Sequence, residues 1–144
     1  MADSMHEIAI QADPRKVYDA WTTREGLSSW WTAQSRVSGE PGEKNVFAFN
    51  GDAVRFNFRI DEQVPGERVL WTGVSGEKMP AEWVGTKIDV RLSRLTDGGT
   101  RMLFSHRNWA NTDGAFARCN TTWGELMHRL QDYCEGRPRG PLFV

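Results

Sequence analysis

Two histidines, one amide and a surplus of tryptophans are the side chains here whose type and position could do chemistry. His106 ends the alternating run Met102, Phe104, His106 of a strand read over residues 100–107. Strand parity therefore turns it inward with two apolar side chains rather than toward water. An imidazole so placed could hydrogen-bond a ligand, or act as general acid or base near its ordinary pKa of about 6.5. The alternative is a structural histidine whose ring nitrogens bond backbone or a neighbouring Trp N–H. His6 is inward by the same parity on a first strand over 5–10. Two imidazoles could begin a metal site, but zinc normally needs three or four ligands and no third is evident, so no metal is expected.

Other constellations drop out on spacing. Ser105 falls on the opposite strand face from His106, which removes a Ser–His nucleophile pair. Asp61, Glu62 and Glu82 form no defensible carboxylate pair, and His128 lies on the solvent side of its helix. Without a Gly-rich loop that follows a strand and opens a helix there is no phosphate cradle, and no cofactor is expected. Trp30, Trp31, Trp71, Trp83, Trp109 and Trp123 could line a pocket that stacks a flat or apolar molecule, or could be plain core. Trp71 and Trp123 are the two expected near a cavity. Asn120 stands at the edge of an apolar helical arc where Leu would be ordinary. Its amide needs a partner, because an unpaired buried one costs about 1–3 kcal/mol; a ligand, a water or the sheet could supply it.

The elements that must position these groups follow from periodicity. After the first strand, Asp13-Pro14 predicts a helix start, with Asp as N-cap and Pro at the first helical position. Val17, Ala20 and Trp21 form the buried stripe of that helix. Thr22-x-x-Glu25 predicts a capping box for a second short helix carrying Leu27, Trp30 and Trp31. Strand patterns then run over 45–50, 54–62, 68–72, 83–95 and 100–107, separated by Gly39–Lys44, Gly51-Asp52, Pro65-Gly66, a loop over 77–80, and Asp97-Gly98-Gly99. Hairpin-linked strands with one apolar and one polar face make an antiparallel sheet solvated on one side. The last element is a long helix from about Asp113 to Glu135, with Gly136 as its stop. Phe116, Cys119, Trp123, Leu126, Met127, Leu130, Tyr133 and Cys134 share an arc of roughly 140° on it. Arg118, Glu125, Arg129 and Asp132 fall opposite.

Composition narrows the classes. At 144 residues the chain is one domain by size and buries roughly 70% of its unfolded surface. With 18 basic and 19 acidic residues, no nucleic-acid footprint is expected. No apolar run approaches the ~20 residues of a membrane span, so no membrane insertion is expected. MADSMHEIAI lacks the basic start and apolar core of a signal peptide. Cys119 and Cys134 sit on one helix roughly 22 Å apart, too far to bridge. Two unbridged thiols point to a reducing cytoplasm.

The order strand, two short helices, antiparallel strands and one long helix, with the stretches ADPRKVYDAWTTREGLSSWW, GGTRMLFSHRNW and TTWGELMHRLQDYCEG, resembles the START-like or Bet v 1-like (SRPBCC) superfamily. More narrowly it is similar to the small bacterial proteins like the C-terminal domain of the activator of the heat-shock protein 90 ATPase. The likeness runs from Met5 to about Gly136. It implies an α+β helix-grip fold: a strongly curved antiparallel sheet of six or seven strands wrapped around the C-terminal helix, as a single domain over 1–136, with 137–144 a loosely held tail. It also implies that the first and last strands lie side by side, bringing His6 toward His106, and that a cavity separates sheet from helix. The side chains expected to reach a ligand there are Phe56, Phe58, Trp71, Phe104, His106, Trp109, Phe116, Asn120, Trp123 and Met127. No catalytic motif is common to the superfamily, so none is carried over. Binding of a small apolar or aromatic molecule, without catalysis, is the favoured reading. The alternatives are a cyclase or hydrolase using His106 as acid/base, and an interaction module of the chaperone-ATPase-activator kind. A protein partner or a weak homodimer belongs to that last reading, although the polar outer strand face argues against a large obligate interface.

Overall fold

Local signals in the N-terminal third account for its helices. The structure, a computed structural model, describes residues 2–144. Strand β1 (Ala2–Ile10) leads into α1 (Pro14–Thr22), where the Asp13 carboxylate accepts from the Arg15 and Lys16 amides. Helix α2 (Arg24–Trp30) is capped by Thr23, whose hydroxyl accepts from the Gly26 N–H. The expected cap, Thr22, still belongs to α1 and donates back to the Tyr18 carbonyl. Gly26 is where the two helices touch, since a Cβ there would come within 2.6 Å of the Ala20 backbone.

Six strands follow: β2 (Gln34–Arg36), β3 (Lys44–Phe49), β4 (Val54–Val64), β5 (Arg68–Val74), β6 (Lys87–Arg94) and β7 (Thr100–Trp109). With β1 they make a seven-stranded antiparallel sheet in the order β1-β7-β6-β5-β4-β3-β2. Helix α3 (Ala115–Cys134) lies on its apolar face, and Gly136, at φ 84°, ends it. The architecture is the expected α+β helix grip. Trp83 departs from the strand reading. It belongs to a 3-10 turn, Ala81–Trp83, closed by the Thr86 hydroxyl donating to the Trp83 carbonyl, and β6 starts only at Lys87.

Two bulges alter the simple parity, as an extra residue does by shifting every later side chain to the other face. In β4 the pairing passes from Ile60 opposite Trp71 to Glu62 opposite Leu70. Gln63 therefore turns inward and accepts the Trp71 indole N–H at 3.0 Å, while Glu62 reaches Arg68. At the end of β7, Ser4 faces His106 but Ala2 faces Trp109. Asn108 takes a left-handed conformation there (φ 72°), and Trp109 is swung into the core.

The space between sheet and helices is filled with aromatic rings. Trp21, Trp30, Trp71, Trp123, Phe47, Phe58 and Phe104 are almost wholly buried. Trp31 stacks on Phe47 at 4.2 Å and Phe104 lies 4.6 Å from Trp123. Each such ring contributes about 1.5–3 kcal/mol by leaving water. The outer face is charged, and there the nearly buried Asp89 is gripped by Arg68, Arg91 and Arg107. The 137–144 tail is not loosely held. It runs back beside α2, where the Phe143 amide donates to the Trp31 carbonyl and its carbonyl accepts from Ala33, both at 2.9 Å. Backbone bonds and an aromatic side chain outweigh the Pro/Gly composition that suggested a free end.

Candidate functional site

A cavity of about 450 Å³ opens where the β3–β4 hairpin, the Ala81–Trp83 turn, the first half of α3 and the returning tail meet. Its apolar wall is Trp31, Phe49, Val54, Phe56, Pro80, Trp83, Ala115, Trp123, Leu126 and Phe143; Asn50, Arg118, Cys119 and Thr122 supply polar atoms. Each element contributes for a local reason. Asn50 and Gly51 adopt positive φ (53° and 64°), which reverses the hairpin and sets Phe49 across from Val54. Gly73 lets the 80s turn approach: a Cβ there would meet the Trp83 carbonyl oxygen at 2.3 Å. The tail closes the rim with Phe143, edge-on to Phe49 at 5.2 Å.

The cavity lies to one side of the helical arc read from sequence. At about 100° per residue, the α3 side chains that line it centre roughly 65° from the core stripe Trp123, Leu126, Met127, Leu130 and Cys134, and roughly 130° from Asn120. Of the ten residues expected to reach a ligand, Phe56 and Trp123 stand on the wall. Phe58, Trp71, Phe104, His106 and Met127 are fully buried in solid core. Trp109 is buried against Trp83 and Phe116, and none of these three positions beyond Trp83 lines the cavity. Sequence reading missed Phe49, Ala115, Arg118, Thr122 and Phe143. Arg118 falls on the solvent side of the apolar arc, and the cavity straddles the edge of that arc, sharing Cys119, Trp123 and Leu126 with it.

His106 resolves to the structural alternative. It is fully buried, with Nε2 2.7 Å from the Thr86 hydroxyl and Nδ1 3.0 Å from the Trp123 indole nitrogen. The Trp123 N–H can only donate, so Nδ1 accepts. Thr86 spends its own proton on the Trp83 carbonyl, so Nε2 carries the hydrogen and donates to Thr86. Both nitrogens are used and the ring is neutral. Burial lowers its pKa from 6.5 to about 3. A general acid or base needs a free nitrogen and a pKa near neutrality, and this ring has neither.

Asn120 finds its partner in the sheet: its side-chain oxygen accepts the Ser4 hydroxyl, with His6 Nε2 3.4 Å from the same hydroxyl. His6 is opposite Phe104 rather than His106, and burial holds its pKa below the ordinary value. Cys119 and Cys134 are both unbridged. Burial pushes the Cys119 thiol up, opposed by Trp83 and Arg118, and raises Cys134 to about 12. Among the described residues no helix is long and apolar enough to cross a membrane.

Residues 11–135 match the family described as activator of Hsp90 ATPase homolog 1-like protein (AHSA1). The chain belongs to this family. AHSA1-like proteins carry the SRPBCC, Bet v 1-like fold seen here. The solution structure of the Aha1 dimer from Colwellia psychrerythraea is 34% identical, with a TM-score of 0.84 over 95% of this chain and 98% of that one. An AHSA1-like protein from Aeromonas hydrophila shares the fold at 16% identity, with a TM-score of 0.72 over 94% of this chain and 93% of its own. An uncharacterized 17.2 kDa protein of Streptomyces lincolnensis, from the melC2-rnhH intergenic region, is 30% identical over 72% of this chain, which spans 66% of that relative's length.

Proposed function

We propose that this AHSA1-like protein binds a small apolar or aromatic molecule in the cavity beside α3 and does not transform it. The observation that carries the reading is the wall itself. Six aromatic rings (Trp31, Phe49, Phe56, Trp83, Trp123 and Phe143) surround about 450 Å³, within the range of small-molecule sites. Against catalysis, the wall has no histidine and no carboxylate to move a proton.

Three wall tryptophans make the test direct. An apolar aromatic probe such as naphthalene should quench tryptophan emission saturably. Thr122→Phe, which fills the cavity from α3, should abolish the quenching while the protein stays folded. Native mass spectrometry of protein purified from its own host should find a bound small molecule. Quenching that never saturates, or that survives Thr122→Phe unchanged, defeats the proposal. The two unbridged thiols fit a reducing compartment, which supports a cytoplasmic setting.

A second reading rests on the family match: an interaction module acting on a chaperone ATPase. It calls for a rise in the ATPase rate of an Hsp90-type chaperone when this protein is added. The dimer described for the Colwellia relative makes weak self-association part of that reading, to be measured by sedimentation.

A further inference from the structure

Charge on the cavity wall is confined to one side chain. Arg118, in the first turn of α3, is the sole ionisable group of fixed charge among the lining residues. Among the described residues, every arginine except Arg24, Arg94 and Arg118 has a carboxylate within ion-pair distance. Glu82, near enough to Cys119 to raise its pKa, makes no ion pair with Arg118. The guanidinium that borders the apolar cavity is therefore uncommitted, in a protein that pairs nearly all the others.

The start of α3 adds to the same sign. Its N-cap is Gly114, no side chain caps the first turn, and that turn holds no acidic residue. The partial positive charge of the helix N-terminus lies beside Ala115 and Arg118, both on the wall, with no carboxylate in the first turn and Asp113 one residue before the cap. Thr122 and Asn50 offer neutral hydrogen-bonding groups on the same surface. A ligand complementary to this arrangement has an apolar body and one anionic end.

We infer that the cavity takes an amphiphilic monoanion, an aliphatic or aromatic carboxylate, with its body against the aromatic wall and its carboxylate on Arg118. This rests on the ligand-binding reading of the cavity, and goes further by naming the ligand class and the residue that selects it. Arg suits the task because its planar fork meets a carboxylate with two parallel N–H donors and keeps its charge at any physiological pH.

The test compares bodies of one shape with and without charge: 1-naphthylacetate against 1-naphthylacetamide, and decanoate against decanamide, by calorimetry or tryptophan quenching. The carboxylate of each pair should bind about fivefold tighter at low salt, the gain suited to a solvent-accessible ion pair. Molar salt should erase most of that preference. Arg118→Gln should bring acid and amide of each pair to equal affinity, and Arg118→Lys should restore part of the difference. Since Arg118 is exposed, neither variant threatens the fold. Equal binding of acid and amide to the wild type, or a preference that survives Arg118→Gln, overturns the inference and leaves the cavity reading standing. Failure of all four molecules to bind overturns both.

Discussion

Lowering the pH from 7 to 5 should cost this protein about 2 kcal/mol through His106 alone. In the folded state the ring is buried, neutral and bonded at both nitrogens, with its pKa lowered from 6.5 to about 3. In the unfolded chain it titrates in water at its ordinary value. Between those two values the unfolded state binds a proton that the folded state refuses. The stability contributed by this site is therefore whole above pH 6.5 and drains away as pH falls toward 3. Below the unfolded pKa the loss is about 1.4 kcal/mol per pH unit, which gives the figure at pH 5. Against a typical total of about 5–15 kcal/mol, that is easily measured. The assay is urea unfolding followed by tryptophan fluorescence at both pH values, for the wild type and His106→Gln. Glutamine keeps an N–H for Thr86 and an oxygen for Trp123 but does not titrate. Every group other than residue 106 is common to the two proteins, so the difference between the two pH losses isolates His106. The variant should start less stable by about 1–3 kcal/mol and lose about 2 kcal/mol less on acidification. Equal losses in the two proteins would refute the buried, neutral ring.

Three further outcomes follow from named contacts. Asp13→Ala removes the acceptor for the Arg15 and Lys16 amides and should lower unfolding free energy by about 1 kcal/mol in the same assay. Gly73→Ala drives a methyl into the Trp83 carbonyl and should destabilise by about 1–3 kcal/mol. It should also weaken naphthalene binding, because Trp83 is wall; unchanged stability and affinity would deny the close approach. Phe143→Ala should cost about 1–2 kcal/mol, less than a fully buried ring, and should weaken probe binding by opening the rim. A variant with wild-type thermal stability and affinity would mean that the tail does not close the site.

Most of the fold could be read from the chain because the signals that make it are local. Asp13-Pro14 starts α1 through contacts two and three residues away. Alternation from Val69 through His106 placed Val69, Trp71, Ile88, Val90, Met102 and Phe104 inside, where all are buried. Errors arose where one residue breaks the period. Thr23 displaced Thr22 as a cap by one position, the 3-10 turn took Trp83 out of a strand, and the left-handed Asn108 sent Trp109 inward.

The site was less legible, for a physical reason. An inward-facing side chain is either packed solid or left bordering space, and periodicity is identical in the two cases. Sequence determined that His106, Trp123 and Phe104 share the interior. Tertiary structure decided that His106 would be consumed by Thr86 and Trp123, partners 20 and 17 residues away. It also decided where the packing stops short: along the flank of α3, between a hairpin, a turn and a tail that meet only in the folded chain. Arg118 borders that space because α3 lies across the sheet at one rotation, and the rotation is set by the whole core rather than by any stretch of sequence.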